Sequence, residues 1–260
     1  MVSSRANVVS SFTIIKGALV DETYTVFSEW DFTRTKRENL GRLRELNFIG
    51  ASSTTWLRDI AKVLNRRFDP EERDRALVVL AKGNCDLEEW RPLLLWHITR
   101  DEFLFRDFLQ TWLFPAYVAG TFRVRPEEAH AYLNGIQKRG GTTEHAWSES
   151  TVNRVTAGLL KMSGDFGLLR GSVVREFASY HLPERSFIYL LHAMREERNS
   201  PSELVRAHDW RMFLMRPADV EHELLRLHQF RSVDYQVAGS LVQLSLPCAS
   251  SLEYAKRMVA

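Results

Sequence analysis

The chain reads as a mainly α-helical protein, a helical bundle with two helix-turn-helix-like units and room for small β-hairpin wings. Three observations predict this. Apolar residues recur at three- and four-residue steps through most of the 260 residues. Ser, Thr, Asp and Pro repeatedly stand just ahead of those periodic runs, where helices begin. Alternating, β-type patterning is confined to a few short stretches.

The opening element spans Phe12–Trp30, with Ile14, Ile15, Leu19, Tyr24 and Phe27 to bury. Ahead of it, MVSSRANVVSS is short, polar and small, without the apolar run of a signal peptide, and reads as a loose leader or an over-early start. The stretch 34–68 then reads as two helices joined by a tight turn. Leu40, Leu43 and Leu46 mark one side of the first. Asn47-Phe48-Ile49-Gly50 breaks the pattern, and Ser52 and Ser53 offer N-caps to the second. In the second helix Leu57, Ile60, Ala61 and Leu64 form an apolar stripe. Arg58, Lys62, Asn65 and Arg66 form another stripe on a different face, with Arg67 beside it as a backbone support. Thr54 and Thr55 sit at the N-terminal end, whose free N–H groups and partial positive charge suit a phosphate. A plain helical hairpin with a solvated basic face gives the same pattern.

Asp69-Pro70-Glu71-Glu72 marks the start of a helix ending at Lys82-Gly83. Asp86 opens DLEEWRPLLLWHIT, with Pro92 bending that helix or restarting it, and Asp101–Tyr117 follows. Phe103, Leu104, Phe108, Trp112 and Leu113 make a wide face that reads as core. Gly120 closes this half, so the chain divides into an N-terminal unit, 12–120, and a C-terminal unit, 121–260.

The second unit begins with a linker or short strand, Thr121–Arg125, and a helix from Pro126 to about Gln137. Lys138–Thr143 is a basic, glycine-rich loop. Ser148–Met162 is a helix with Val152, Val155, Leu159 and Met162 inward and Arg154, Gly158 and Lys161 outward. Residues 126–163 therefore repeat the order helix, turn, helix with outer cations, without repeating residues. A solvated helix with stray cations fits equally. Phe166–Val174 is a hairpin wing or a loop. Leu182-Pro183 begins a helix through Phe187, Leu190, Leu191 and Met194, and Asn199–Glu203 ends it and starts a short one. Trp210–Leu214 is a small apolar knot. Pro217–Phe230 is amphipathic, with Val220, Leu224, Leu227 and His228 inward. Tyr235–Leu246 is a hairpin about Gly239-Ser240 or an apolar helix, and Ser250–Met258 is the last helix.

Lys plus Arg number 35 against 33 Asp plus Glu, so affinity for nucleic acid needs a local arrangement of charge. Residues 32–68 supply one, with nine cations against three acids. Cys85 and Cys248 are isolated and fit a reducing compartment. The apolar region Trp90–Ala119 is interrupted by seven ionisable residues and reads as core, not as a membrane span. No phosphate-cradling glycine loop, dinucleotide fingerprint or nucleophile elbow is present. His222 and His228 lie six apart, which is not a helical zinc spacing. Neither a catalytic residue, a metal nor a cofactor is expected.

Several separated phrases carry a family likeness: FTIIKGALVDETYTVFSEWDF, NFIGASSTTWLRDIAKVLNRRFD, FASYHLPERSFIYLLHAMREE, DWRMFLMRPADVEHELLRLHQF and YQVAGSLVQLSLP. Together they resemble the BrxA family, a small core component of bacterial BREX phage-exclusion systems. The likeness runs from Phe12 to the C-terminus. It implies an all-helical, cytoplasmic, non-enzymatic protein using helix-turn-helix units on double-stranded DNA, beside a methyltransferase and other BREX proteins. The family has also been compared with NusB-like RNA-binding proteins, so an RNA-binding module or a protein-assembly adaptor are the alternatives. A monomer away from the membrane is favoured. The expected DNA contacts are Thr54, Thr55, Arg58, Lys62, Asn65, Arg66 and Arg67 in the first unit and Lys138, Arg139, Arg154 and Lys161 in the second.

Overall fold

The computed structural model describes residues 7–143, 146–198, 200–239 and 241–260. Residues 1–6 of the stretch read as a leader, Glu144, His145, Asn199 and Ser240 lie outside them. The first half is helical: α1 (Ser11–Lys16), α2 (Val20–Ser28), α3 (Lys36–Leu46), α4 (Thr54–Arg67), α5 (Arg75–Lys82) and α6 (Leu87–Asp101). A near-continuous run follows, with α7 (Phe103–Phe108), a π turn (Leu109–Leu113) and α8 (Phe114–Val118). Past Gly120, at φ 73°, come β1 (Arg123–Val124), α9 (Pro126–Leu133), α10 (Glu149–Asp165), β2 (Leu169–Arg170) and β3 (Arg175–Phe177). The chain ends with α11 (Glu184–Arg195), α12 (Pro201–Val205), a 3-10 turn (His208–Phe213), α13 (Pro217–Gln229), β4 (Asp234–Ala238), β5 (Leu241–Ser245) and α14 (Ser251–Met258). The fold is thus mainly α, and its sheets are small and antiparallel: β1-β3-β2, and the hairpin β4-β5 with Tyr235 opposite Leu244.

Local hydrogen bonds set many helix starts. Thr35 and Glu38 form a capping box on α3, and Ser53, Asp86, Ser148, Ser200 and Ser250 each accept a backbone N–H of the following turn. At the core lies α6, buried almost all round from Trp90 to Thr99, as an apolar helix must be. Tyr24 and Phe27 meet Trp90 edge-on. One buried apolar cluster continues across residue 120: α1 packs on α10, and α14 packs on both α5 and α11. No helix among the described residues is long and apolar enough to cross a membrane.

Most charges inside the apolar region 90–119 are paired: Arg100 with Glu197, Asp101 with Arg73, Glu102 with Arg67 and Asp107 with Arg139. His97 is fully buried, its Nδ1 2.5 Å from Asp74 Oδ1 and its Nε2 2.9 Å from the Tyr189 hydroxyl, so the contact joins the turn before α5 to α6 and α11. Burial holds the His97 pKa below its ordinary value, against the pull of Asp74.

Several elements differ from the sequence reading. Asp69-Pro70 does not start a helix. It opens a turn closed by Asp74, whose N–H donates to Asp69 O and whose carboxylate accepts from Asp69 N–H, and α5 begins only at Arg75. The helix from Asp86 runs unbroken through Pro92. The helix from Pro126 stops at Leu133, and a 3-10 turn, Gln137–Arg139, follows. Leu46 is exposed, because α3 ends there and Asn47 turns the chain into the left-handed region. His228 is exposed too, with its Nδ1 accepting from Tyr235 N–H at the start of β4. The segment 166–174 is mostly turn and loop and holds only β2, which pairs with β3 just beyond it, whereas the stretch from Tyr235 is a hairpin, β4 with β5, and not a helix.

Candidate nucleic-acid interface

The first helix pair is held by its loop. Asn47, at φ 45°, sends both side-chain atoms to Ala51: Oδ1 accepts the N–H at 2.8 Å and Nδ2 donates to the carbonyl at 3.0 Å. Gly50 also has positive φ, 66°. The connection runs from Asn47 to Ser53, so it is not the tight turn expected, and it exceeds the roughly three or four residues of a compact helix-turn-helix. Ser53 Oγ caps α4. Lys36 of α3 donates to the Asn65 and Phe68 carbonyls at the other end of α4, where the helix dipole favours a cation.

α4 presents two faces. Leu57, Ile60, Ala61, Val63 and Leu64 are buried, and Thr54, Thr55, Arg58, Lys62, Asn65 and Arg66 are exposed. The exposed row is graded. Arg58 makes no hydrogen bond or ion pair among the described residues. Lys62 Nζ stands 4.6 Å from the centroid of the Phe12 ring. Arg66 donates to Val8 O at 3.1 Å and lies 4.0 Å from Glu102.

Arg67 does not belong to this row. It is 0% exposed, ion-paired to Glu102 at 3.0 Å, and donates to the Thr13, Gly17 and Ala18 carbonyls. It therefore caps the C-terminal end of α1 from inside and cannot reach a phosphate. A signal for this was present in the sequence. Position 67 continues the step of Leu57, Ile60 and Leu64, and so lies on the buried stripe.

In the second unit Lys138, Arg154 and Lys161 are exposed. Arg139 is half-buried: its Nε donates to Asp107 at 2.8 Å, its Nη2 to Tyr132 O at 2.8 Å, and its guanidinium lies over the Tyr132 ring. It braces the loop more than it faces solvent. Gly158 is buried, not outward. A Cβ there would stand 2.6 Å from Ile14 O, so the absent side chain is what lets α1 lie against α10.

The segment from Asn7 to Lys16 joins the two cationic rows, and the sequence reading did not find this. Val8 O accepts from Arg66, while Val9 N–H donates to Thr142 O in the loop that carries Lys138. At the other end of the segment, Lys16 bonds Asp59 at 2.6 Å and lies over the Trp56 ring. Lys16, Trp56 and Lys161 share a 290 Å³ cleft with Arg91 and Asp165. The C-terminal end of α4 thus adjoins the loop before α10, and its N-terminal end adjoins the far part of α10. The two helices flank one segment and run in opposite senses.

Among the described residues no group of three or more His, Cys, Asp or Glu side chains converges to hold a metal ion. The buried Asp74–His97–Tyr189 set is sealed inside the core and acts as a packing clamp.

The family model for BrxA matches residues 11–193, which include α1, both helix pairs and most of α11. The phrases from Asp209 onward that carried the likeness lie beyond the matched span. No curated protein matches the chain. With the match covering well over half of its residues, the chain belongs to the BrxA family and is a BREX-associated component.

Proposed function

We propose that this BREX-associated chain is a non-enzymatic, double-stranded DNA-binding subunit that uses its two cationic helix pairs in helix-turn-helix fashion. The observation that carries the reading is the row of Arg58, Lys62, Asn65 and Arg66. These residues are exposed together along α4, on a helix propped by α3 beneath and by Lys36 at its end. A helix offered to solvent this way fits a major groove, with Thr54 and Thr55 at its N-terminal end toward a phosphate. Lys138, Arg154 and Lys161 add charge from the other side of the Asn7–Lys16 segment, which favours both rows meeting the same duplex. The cations supply mainly sequence-independent affinity.

The test is a gel shift with Arg58→Glu/Lys62→Glu. Both side chains are exposed, so the variant should fold, and its helicity checks that. Strong loss of duplex binding supports the reading; undiminished binding removes α4 from the site. Competition between duplex DNA and a stem-loop RNA tests the NusB-like alternative, because the A-form major groove is too narrow for a recognition helix. An assembly role beside the methyltransferase or another BREX protein is favoured by one further observation. Tyr117, Val118 and Phe122 are large apolar side chains left exposed around the end of α8. Negligible nucleic-acid affinity at physiological salt, with stable co-purification of a BREX partner, would support that reading instead.

A further inference from the structure

Far along the chain from both cationic helix pairs, three exposed arginines line a 430 Å³ cleft between α11, the turn after α13 and α14. They are Arg185, Arg231 and Arg257, and Ser232, Tyr254 and Glu184 line the same space. We propose that this cleft binds a small phosphate-bearing molecule, with a di- or triphosphate group as the recognised part.

The charge there is unbalanced. Arg231 and Arg257 make no side-chain hydrogen bond or ion pair among the described residues. Arg185 is held in place by Glu89 Oε2 at 2.9 Å and by the Met258 carbonyl, and still has further N–H donors to offer. The acid in the cleft, Glu184, already accepts from Arg226 Nη2 at 2.9 Å and from the Ser232 hydroxyl at 3.2 Å. Burial, with help from Glu184 and Cys248, pushes the Tyr254 phenol up to about 12, against Arg185 and Arg257, so it stays a donor at neutral pH.

The end of α13 fixes where Arg231 stands. Arg231 sits at φ 59°, a left-handed conformation in which an L-residue is uncommon. Its neighbour Ser232 is tied back to Leu227 O. Three arginines from three separate elements around one hollow suit the many oxygens of an oligophosphate, which guanidiniums recognise through several N–H donors at once. The volume lies within the roughly 300–1,000 Å³ range of small-molecule sites and suits a nucleotide-sized ligand.

Isothermal titration of the full chain with inorganic pyrophosphate, ADP and a short DNA duplex tests this. The expected result is saturable binding of pyrophosphate or ADP that weakens with added salt. It should fall by at least about tenfold in Arg231→Gln/Arg257→Gln, whose side chains hold nothing else in place. Binding should be unchanged in Arg58→Glu/Lys62→Glu, which separates this site from the DNA reading. If pyrophosphate alone binds, the phosphate group is the whole determinant; tighter ADP binding shows that the cleft also takes the nucleoside. The proposal is overturned if neither probe binds saturably, or if both bind equally well to the Arg231→Gln/Arg257→Gln variant. It is also overturned if that variant loses affinity for the duplex while neither small probe binds.

Discussion

Replacing Arg67 with Met separates the buried role of this cation from a role at DNA. The guanidinium donates at 2.9–3.2 Å to Glu102 and to three carbonyls of the α1 end. Met matches much of its length but donates nothing. Glu102, 1% exposed, would keep the Thr13 hydroxyl at 2.9 Å, with Arg66 4.0 Å away as its remaining cation. Breaking a buried pair by removing one partner costs about 3–5 kcal/mol. At roughly 2–4 °C per kcal/mol for a chain of this size, Tm should fall by about 6–20 °C. The assay is thermal denaturation at pH 7 followed by circular dichroism, with a gel shift at a temperature where the variant is folded. Removing both charges in Arg67→Met/Glu102→Leu should recover part of the loss, because no buried charge is then left alone. A Tm change within about 2 °C, accompanied by weaker DNA binding, would refute the argument, since surface cations typically contribute under about 0.5 kcal/mol to stability.

Four further outcomes follow from the same geometry. If about six phosphates are engaged, the log–log salt slope of duplex binding should be near −5, moving toward about −3.5 in Arg58→Glu/Lys62→Glu, as read from titrations between 50 and 200 mM salt. Ser53→Ala removes the α4 cap and should cost about 1 kcal/mol in urea denaturation. Gly158→Ala places a Cβ against Ile14 O and should cost about 1–3 kcal/mol despite Ala's better helix propensity; an unchanged Tm would mean that α1 does not rest on α10. His192, stacked on Tyr254, has its pKa lowered from 6.5 to about 4, first by burial and then by Arg195, with Glu253 opposing. Its stabilising contribution is therefore fully present above pH 6.5 and is lost as pH falls toward about 4. His192→Phe should flatten that part of the stability–pH curve, which denaturant midpoints from pH 4 to 8 would show.

Much of the fold was legible because its signals are local. Thr35, Ser53, Ser148 and Ser250 act on N–H groups two or three residues away, so a short window of sequence contains both partners. The buried stripe of α4 and the exposed Arg58, Lys62 and Arg66 follow from 3.6-residue periodicity alone. Pattern failed where the deciding partner was distant. Asp-Pro-Glu-Glu serves a helix start or a turn alike, and here its Asp69 is tied into a turn by Asp74, whose carboxylate also meets His97 far along the chain. His228 fell near the apolar flank of α13, yet β4 drew it outward as an acceptor.

The amino-acid order by itself determined the helical class, most element boundaries and the face on which α4 carries its cations. Those depend on interactions spanning at most two turns. Only tertiary structure decided which partners Arg67 meets on the buried side of α4, because Glu102 lies 35 residues further on and nothing between them encodes the meeting. The same holds for the Asn7–Lys16 segment, which brings Arg66 and the Lys138 loop together through hydrogen bonds to Val8 and Val9. Burial of a charge is fixed by whichever partner the packed chain supplies, and that partner is set by the whole fold.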